Sequence, residues 1–164
     1  MPRAPLTWFT VAAVLGTAHA SASMYWALGG DALADTIGAW AVAWRTGSPV
    51  AAGLSLAAIG LVKFAAAWVP WRAARSGGPR GGLRLVCWAG AAVLVAYGLV
   101  NTAAANLALT GILGPVADVV AARGHAWLWD PLFLAWGLTL AVGLWRTRRA
   151  PVPKEPTLAQ SRAA

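Results

Sequence analysis

Acidic residues, cysteine and charge of either sign are scarce in this chain. Of its 164 residues 11% are charged, 5 are acidic, 2 are histidine and 1 is cysteine. A soluble domain carries about 25% charged residues, so most of this polypeptide sits where charge is expensive. The lone Cys87 excludes an intrachain disulfide and any thiol relay that needs a neighbouring cysteine, which removes four-helix membrane thiol oxidoreductases. It lies near the inner end of an apolar run, in a compartment that keeps thiols reduced, and reads as a small apolar filler. The acids are Asp31, Asp35, Asp118, Asp130 and Glu155. No segment offers paired carboxylates, a nucleotide-binding loop, a metal-spaced cluster or a nucleophile with its base. On these grounds no catalytic residue, metal or cofactor is expected, and the chain reads as a non-enzyme.

What the chain has instead is apolar length. Hydrophobic residues make up 59% of it and the mean hydropathy is +0.62. Four apolar runs cover residues 6–28, 50–71, 83–104 and 127–146. An α-helix needs about 20 apolar residues to cross ~30 Å of hydrocarbon. The spacing therefore predicts an all-α fold, an integral membrane four-helix up-down bundle occupying residues 1–149. Glycine and alanine recur in all four runs, which lets membrane helices approach closely. Residues 150–164, with Pro151, Pro153 and Pro156 and few apolar side chains, read as a disordered cytoplasmic tail.

The net charge is +8 and the sequence pI 11.4, a balance that nucleic-acid binders share, but its placement argues for a bilayer. Arg3 precedes the first run, Arg72, Arg75, Arg80 and Arg84 separate the second from the third, and Arg146, Arg148, Arg149, Lys154 and Arg162 follow the fourth. The other two connections hold only Arg45 and Arg123 beside Asp31, Asp35 and Asp118. That asymmetry follows the positive-inside rule and predicts a bacterial plasma membrane protein with both termini cytoplasmic. Anionic lipid headgroups on that side are the expected partner, with a membrane protein or a second copy as a further one. No aromatic-basic reader motif points to nucleic acid. A rival reading of the N-terminus is a signal peptide, with Ala18-His19-Ala20 and Ala20-Ser21-Ala22 as cleavage patterns. The apolar run continues to Leu28, a full span, and favours an uncleaved first helix.

The two outer connections carry helical signals of their own. Asp31 to Trp44 places Leu33, Ile37, Trp40 and Trp44 on one face, with acids at its start, Arg45 at its end and Gly47 as terminator, a short helix lying on the outer surface. Gly114-Pro115 followed by Val116 to Arg123, with Gly124 past the end, predicts a second one. Together they would form a lid. Most of the 11 tryptophans, among them Trp26, Trp40, Trp44, Trp127 and Trp129, fall near predicted helix ends and read as an interfacial belt. Trp88 and Trp136 are deeper.

Ionisable groups inside a span cost about 2.5–3.5 kcal/mol on insertion scales, so each is a functional candidate. His19 shares a helical face with Ser23 and Trp26. A neutral histidine bonded to a neighbouring helix is the ordinary reading, a proton-handling or ligand-contacting group the functional one. Lys63 is eight residues, ~12 Å, from Trp71 on the second helix. It either snorkels toward the inner surface or is buried with Tyr97 and backbone carbonyls as acceptors. Asn101 and Asn106 suggest interhelical hydrogen bonds, and Asp130 before Pro131 suggests a helix cap. The functional alternative gathers His19, Tyr25, Asn101 and Asp130 into one polar pocket beneath the outer surface, with Lys63 as an intramembrane charge.

Two segments carry a resemblance: Met24-Tyr25-Trp26-Ala27-Leu28-Gly29-Gly30 after an upstream His19, and Trp129-Asp130-Pro131 followed by Phe133-Leu134 and Trp136-Gly137. From about Thr10 to Arg146 the chain resembles an uncharacterised family of small four-helix bacterial membrane proteins, common in actinobacteria, known only as a domain of unknown function. The resemblance implies the topology and no activity, cofactor or catalytic residue. The Ala-rich outer stretch between Ala103 and Ala122 departs from it. The functional expectation is a non-enzymatic accessory or interaction component of the membrane. The alternatives are a small proton-coupled transporter using His19 and Lys63, and a quinone or haem protein, haem being held by His19 and His125.

Overall fold

The computed structural model describes residues 4–147; the expected disordered tail at 150–164 and the basic residues Arg3, Arg148, Arg149, Lys154 and Arg162 lie outside them. Every regular element among the described residues is helical. α1 is Ala4–Ala27, a 3₁₀ turn is Ala34–Ile37, α2 is Ala39–Gly47, α3 is Pro49–Arg75 and α4 is Gly81–Leu109. α5 is Val119–Gly124, a π-helical turn is His125–Trp129 and α6 is Asp130–Arg146.

Three stretches are long and apolar enough to cross a bilayer: α3, α4 and the continuous run Val119–Arg146. Four were expected, and α1 is the one that does not qualify. It has 24 residues, so its length of ~36 Å is ample. Its composition is diluted by Thr10, Thr17, His19, Ser21 and Ser23. Most of these polar groups are consumed by neighbours. The indole N–H groups of Trp71 and Trp68 donate to Thr10 and Thr17 Oγ1 at 3.1 and 3.0 Å, and Lys63 donates to Ser23 Oγ at 2.9 Å. α1 is an inner helix whose polarity is spent on its partners.

Rising residue numbers on α1 meet falling numbers on α3 in those three contacts, so the two helices are antiparallel. α1 is also antiparallel to α6: Trp136 lies against Gly16, and Phe9 against Gly143. Buried Phe9, Ala12, Ala67, Cys87, Ala91, Trp136, Leu140 and Leu144 form the core where these helices meet. On the far side of α6, α4 runs antiparallel to it. Gly98 makes that crossing close, since a Cβ there would lie 2.5 Å from the Leu134 nitrogen and 2.7 Å from the Asp130 carbonyl. The lateral order is thus α3, α1, α6, α4. The consecutive helices α3 and α4 lie at opposite flanks and scarcely touch.

This arrangement gathers most of the described arginines at one end. The start of α1, the end of α3, the start of α4 and the end of α6 share one end of the molecule. There Arg75 lies 5.1 Å from the Trp71 ring and Arg146 5.5 Å from the Trp8 ring. Arg84 donates to the Leu144 carbonyl at 2.6 Å and to Thr147 Oγ1 at 3.2 Å. Asp31, Asp35 and Asp118 occupy the connections at the opposite end.

Those connections differ from the sequence expectation. The single helix from Asp31 to Trp44 is broken at Gly38, whose φ of 110° no helix accommodates. Arg45 folds back to donate to the Gly30 carbonyl at 2.6 Å and to Asp31 at 3.1 Å. α4 continues through Asn106 to Leu109, beyond its expected end near 104. The second outer helix starts at Val119, not after Pro115. It does not stop at Gly124, which is packed against Thr36 and leads straight into the π turn and α6. The two outer elements do pack together, and Asp118 joins them: Oδ2 accepts from Ala39 N at 3.1 Å and Oδ1 from Ala121 N at 2.9 Å. One carboxylate thus serves the first turns of α2 and α5, where the macrodipoles favour an anion. Asp118→Ala is expected to cost about 1–2 kcal/mol in thermal unfolding in detergent, with Asp118→Asn losing less.

Candidate functional site

Because α3 and α4 stay apart, a cavity of about 600 Å³ opens between them. α1 and α6 form its floor and α2 covers its outer end. The wall is largely apolar, with Leu56 and Ile59 from α3, Val93 and Leu94 from α4, and Trp40 and Trp44 from α2. Into this wall are set His19, Lys63, His125 and Asp130. Arg45 and Tyr97 also line it, and such a set of ionisable side chains in one apolar cavity of ligand size is the arrangement expected of a binding site.

His19 and Ser23 are one helical turn apart on α1 and both are buried. Both face Lys63, whose Nζ lies 3.2 Å from His19 Nδ1 and 2.9 Å from Ser23 Oγ. The same Nζ stands 5.5 Å from the centre of the Phe133 ring. With Lys63 as an ammonium, which only donates, His19 Nδ1 accepts and the ring hydrogen sits on Nε2. That Nε2 is buried and has no acceptor. The imidazole is held between Phe133 and Trp129, at centroid distances of 3.8 and 5.7 Å.

The second pair comes from the π turn. In an α-helix residues five apart diverge around the axis, whereas the wider π turn brings them back onto one face. His125 and Asp130 are five apart, and His125 Nδ1 donates to Asp130 Oδ2 at 3.0 Å. Asp130 is 1% exposed, and its Oδ1 is buried without a partner. The expected capping role for Asp130 is not what it does: the helix arrives from the π turn without a break, and the carboxylate engages His125. Trp129, in the same turn, packs edge-on to Trp26 at 5.1 Å and donates to Thr36 Oγ1 at 2.9 Å. Both indoles are buried, so these two tryptophans belong to the packed roof and not to an interfacial belt. Trp40 and Trp127 are exposed.

Of the four residues expected to share a pocket, His19 and Asp130 line this cavity. Tyr25 and Asn101 do not. Tyr25 is half exposed and its hydroxyl accepts from Ala32 N at 3.4 Å. Asn101 donates to the Tyr97 carbonyl one turn back on its own helix at 2.8 Å, the usual resting place for a single amide in an apolar helix. Asn106 does link elements: it donates to the Ala126 carbonyl at 3.4 Å and accepts from Trp127 Nε1 at 3.3 Å, which steadies the π turn against α4. Lys63 turns to His19 and Ser23, not to Tyr97 and not toward the inner surface. Among the described residues no three His, Cys, Asp or Glu side chains converge as a metal site would require. Each pair can donate and accept hydrogen bonds, His19 with Lys63 and His125 with Asp130.

Fold and site together define a helical protein able to enter a bilayer with three of its helices, carrying a polar-floored cavity between them. The chain belongs to the DUF3995 family, proteins of unknown function, which it matches over residues 15–140. That match takes in α1 from Leu15 onward, the roof, both cavity pairs and α6 to Leu140. No curated protein and no solved structure matches the chain.

Proposed function

We propose that this is a multi-pass protein of a bacterial plasma membrane that binds a small lipid-soluble molecule in the cavity and does no chemistry on it. The observation that carries the reading is the 600 Å³ apolar cavity with His19, Lys63, His125 and Asp130 on its wall. Buried ionisable groups at membrane depth are costly, and a bound polar head would offset that cost.

In this reading α1 joins the three apolar helices as a fourth antiparallel span, screened from lipid by α3 and α6, and residues 1–149 act as one unit. The arginine-bearing end faces the cytoplasm and anionic headgroups, which leaves both termini inside and the α2–α5 roof outside. Phe9 and Ala20 on α1 are core residues, which favours retention of this helix over its removal as a signal peptide. The protein then works as an accessory component that presents or stores its ligand for a membrane partner or a second copy.

Native mass spectrometry of detergent-released protein tests this. The wild type is expected to carry a one-to-one adduct of constant mass, absent from Leu94→Trp, which fills the cavity. A wild type with no adduct beyond random lipid contradicts it. A second reading, a proton-coupled transporter, draws on the contact between His19 and Lys63. It requires gradient-dependent uptake that His19→Ala and Lys63→Ala abolish. A Soret band in the purified protein would instead favour haem on His19 and His125.

A further inference from the structure

The head group of the ligand can be read from the hydrogen-bonding sense of the cavity. Lys63 brings a formal positive charge to its wall, yet its neighbours are neutral: His19 Nδ1, Ser23 Oγ and the Phe133 ring. The ion pairs among the described residues are Arg45 with Asp31 and His125 with Asp130, so no carboxylate lies within ion-pair distance of Lys63. The other formal charges on the wall are paired, Arg45 with Asp31 at 3.1 Å and Asp130 through Oδ2 with His125 at 3.0 Å, while the buried Asp130 Oδ1 is an acceptor without a donor. Beside Lys63, the buried His19 Nε2–H has no acceptor. A buried donor left unpaired costs about 1–3 kcal/mol, and an ammonium in hydrocarbon without a counter-charge costs more. Both deficits beside Lys63 have one sign: this part of the wall offers donors and lacks an anion.

The rest of the cavity defines what the anion is attached to. The gap between α3 and α4 is bordered by Ile59, Val93 and Tyr97, which are 45%, 65% and 49% exposed, and all three line the cavity. In a bilayer those side chains meet acyl chains, so the gap is a sideways opening at lipid depth. Trp40, Trp44 and Trp129 close the outer end.

We infer that the cavity takes a long-chain amphiphile with an acidic head, a carboxylate or a phosphate, whose head accepts from Lys63 while its chain leaves between α3 and α4 into the bilayer. This rests on the binding reading above and adds the head-group chemistry and the route of entry. A cationic head is disfavoured by Lys63, and a neutral head leaves the charge uncompensated.

The test is a head-group series with the full chain in phosphatidylcholine nanodiscs, read by displacement of a fluorescent fatty acid. Palmitate and hexadecyl phosphate are expected to bind about tenfold or more tighter than hexadecanol, the size of a charge-assisted hydrogen bond, with hexadecyltrimethylammonium weakest. A preference for one of the two acids identifies the source as fatty acid or phospholipid-like. Acetate and inorganic phosphate, lacking the chain, are expected not to compete. Lys63→Met should bring palmitate down to the level of hexadecanol, and Lys63→Arg should keep most of the preference. Hexadecanol binding as tightly as palmitate to the wild type overturns the acidic-head assignment and leaves the binding reading standing, and this wild-type comparison decides even where a variant fails to fold. Binding of no probe, with no adduct on the protein as isolated, overturns both.

Discussion

Gly98→Val is expected to lower the stability of the detergent-solubilised protein by about 3 kcal/mol, the upper end of what forced overpacking costs. At this crossing the obstacle is backbone. The added Cβ would lie 2.5 Å from Leu134 N, 2.7 Å from Asp130 O and 2.9 Å from the Leu134 Cα, and no rotamer change relieves such contacts. α6 would have to move off α4 along the turn that carries Asp130 and Phe133, so the cavity floor moves with it. Gly98→Ala should fall between valine and the wild type. Thermal unfolding followed by tryptophan fluorescence checks the order. By contrast Gly90, which faces open space, should accept alanine freely. A Gly98→Val protein as stable as the wild type would show that α4 and α6 do not cross here.

Lys63→Met is expected to separate stability from binding. A charged side chain at the centre of a span costs about 2.5–3.5 kcal/mol on insertion scales. Methionine fills a similar volume without charge, so the ligand-free variant should unfold at a higher temperature than the wild type by up to about that free energy. Ser23 Oγ and His19 Nδ1 each lose a donor in the exchange, which trims the gain. Ligand retention should fall at least tenfold, the loss of one charged donor. A structural lysine would behave the other way: its loss would destabilise the protein and leave ligand retention alone. The paired readout, unfolding temperature and adduct occupancy by native mass spectrometry, distinguishes the two roles.

Much of the scaffold is legible in residue order, because length and apolarity are local properties. The runs behind α3 and α4 announce themselves, as does the sorting of most arginines to the two ends of the chain and the connection between α3 and α4. Less of the site is legible, for reasons that can be named. His19, Ser23 and Trp26 form a stripe at helical spacing, and all three line the cavity. Their partner Lys63 is 44 residues away from His19, and spacing cannot tell a lysine that snorkels from one turned toward another helix. The His125–Asp130 pair depends on the π turn at 125–129, for which the sequence carries no signal: Gly124 looks like a terminator, and Asp130-Pro131 like a start. Read as α-helix those residues diverge; read as a loop and a cap they never form a pair. Tyr25 and Asn101 attract attention as polar groups at the right depth, but depth does not fix azimuth. Both point away from the cavity. Lateral order is the last hidden feature, since short connections suggest that α3 and α4 pack together, and their separation is what opens the cavity.

The most direct measurement of the central claim uses the scarcity of lysine. The chain has two, Lys63 and Lys154, so protein labelled with ¹⁵N at the lysine side chain and placed in nanodiscs gives an Nζ spectrum that Lys63→Arg assigns by deletion. The account predicts that the Lys63 resonance is shielded from water exchange, and that it shifts on titration with palmitate or hexadecyl phosphate but not hexadecanol, while Lys154 stays still. A Lys63 signal that exchanges freely with water, and is indifferent to every amphiphile, would contradict a lipid-facing binding cavity built around this side chain.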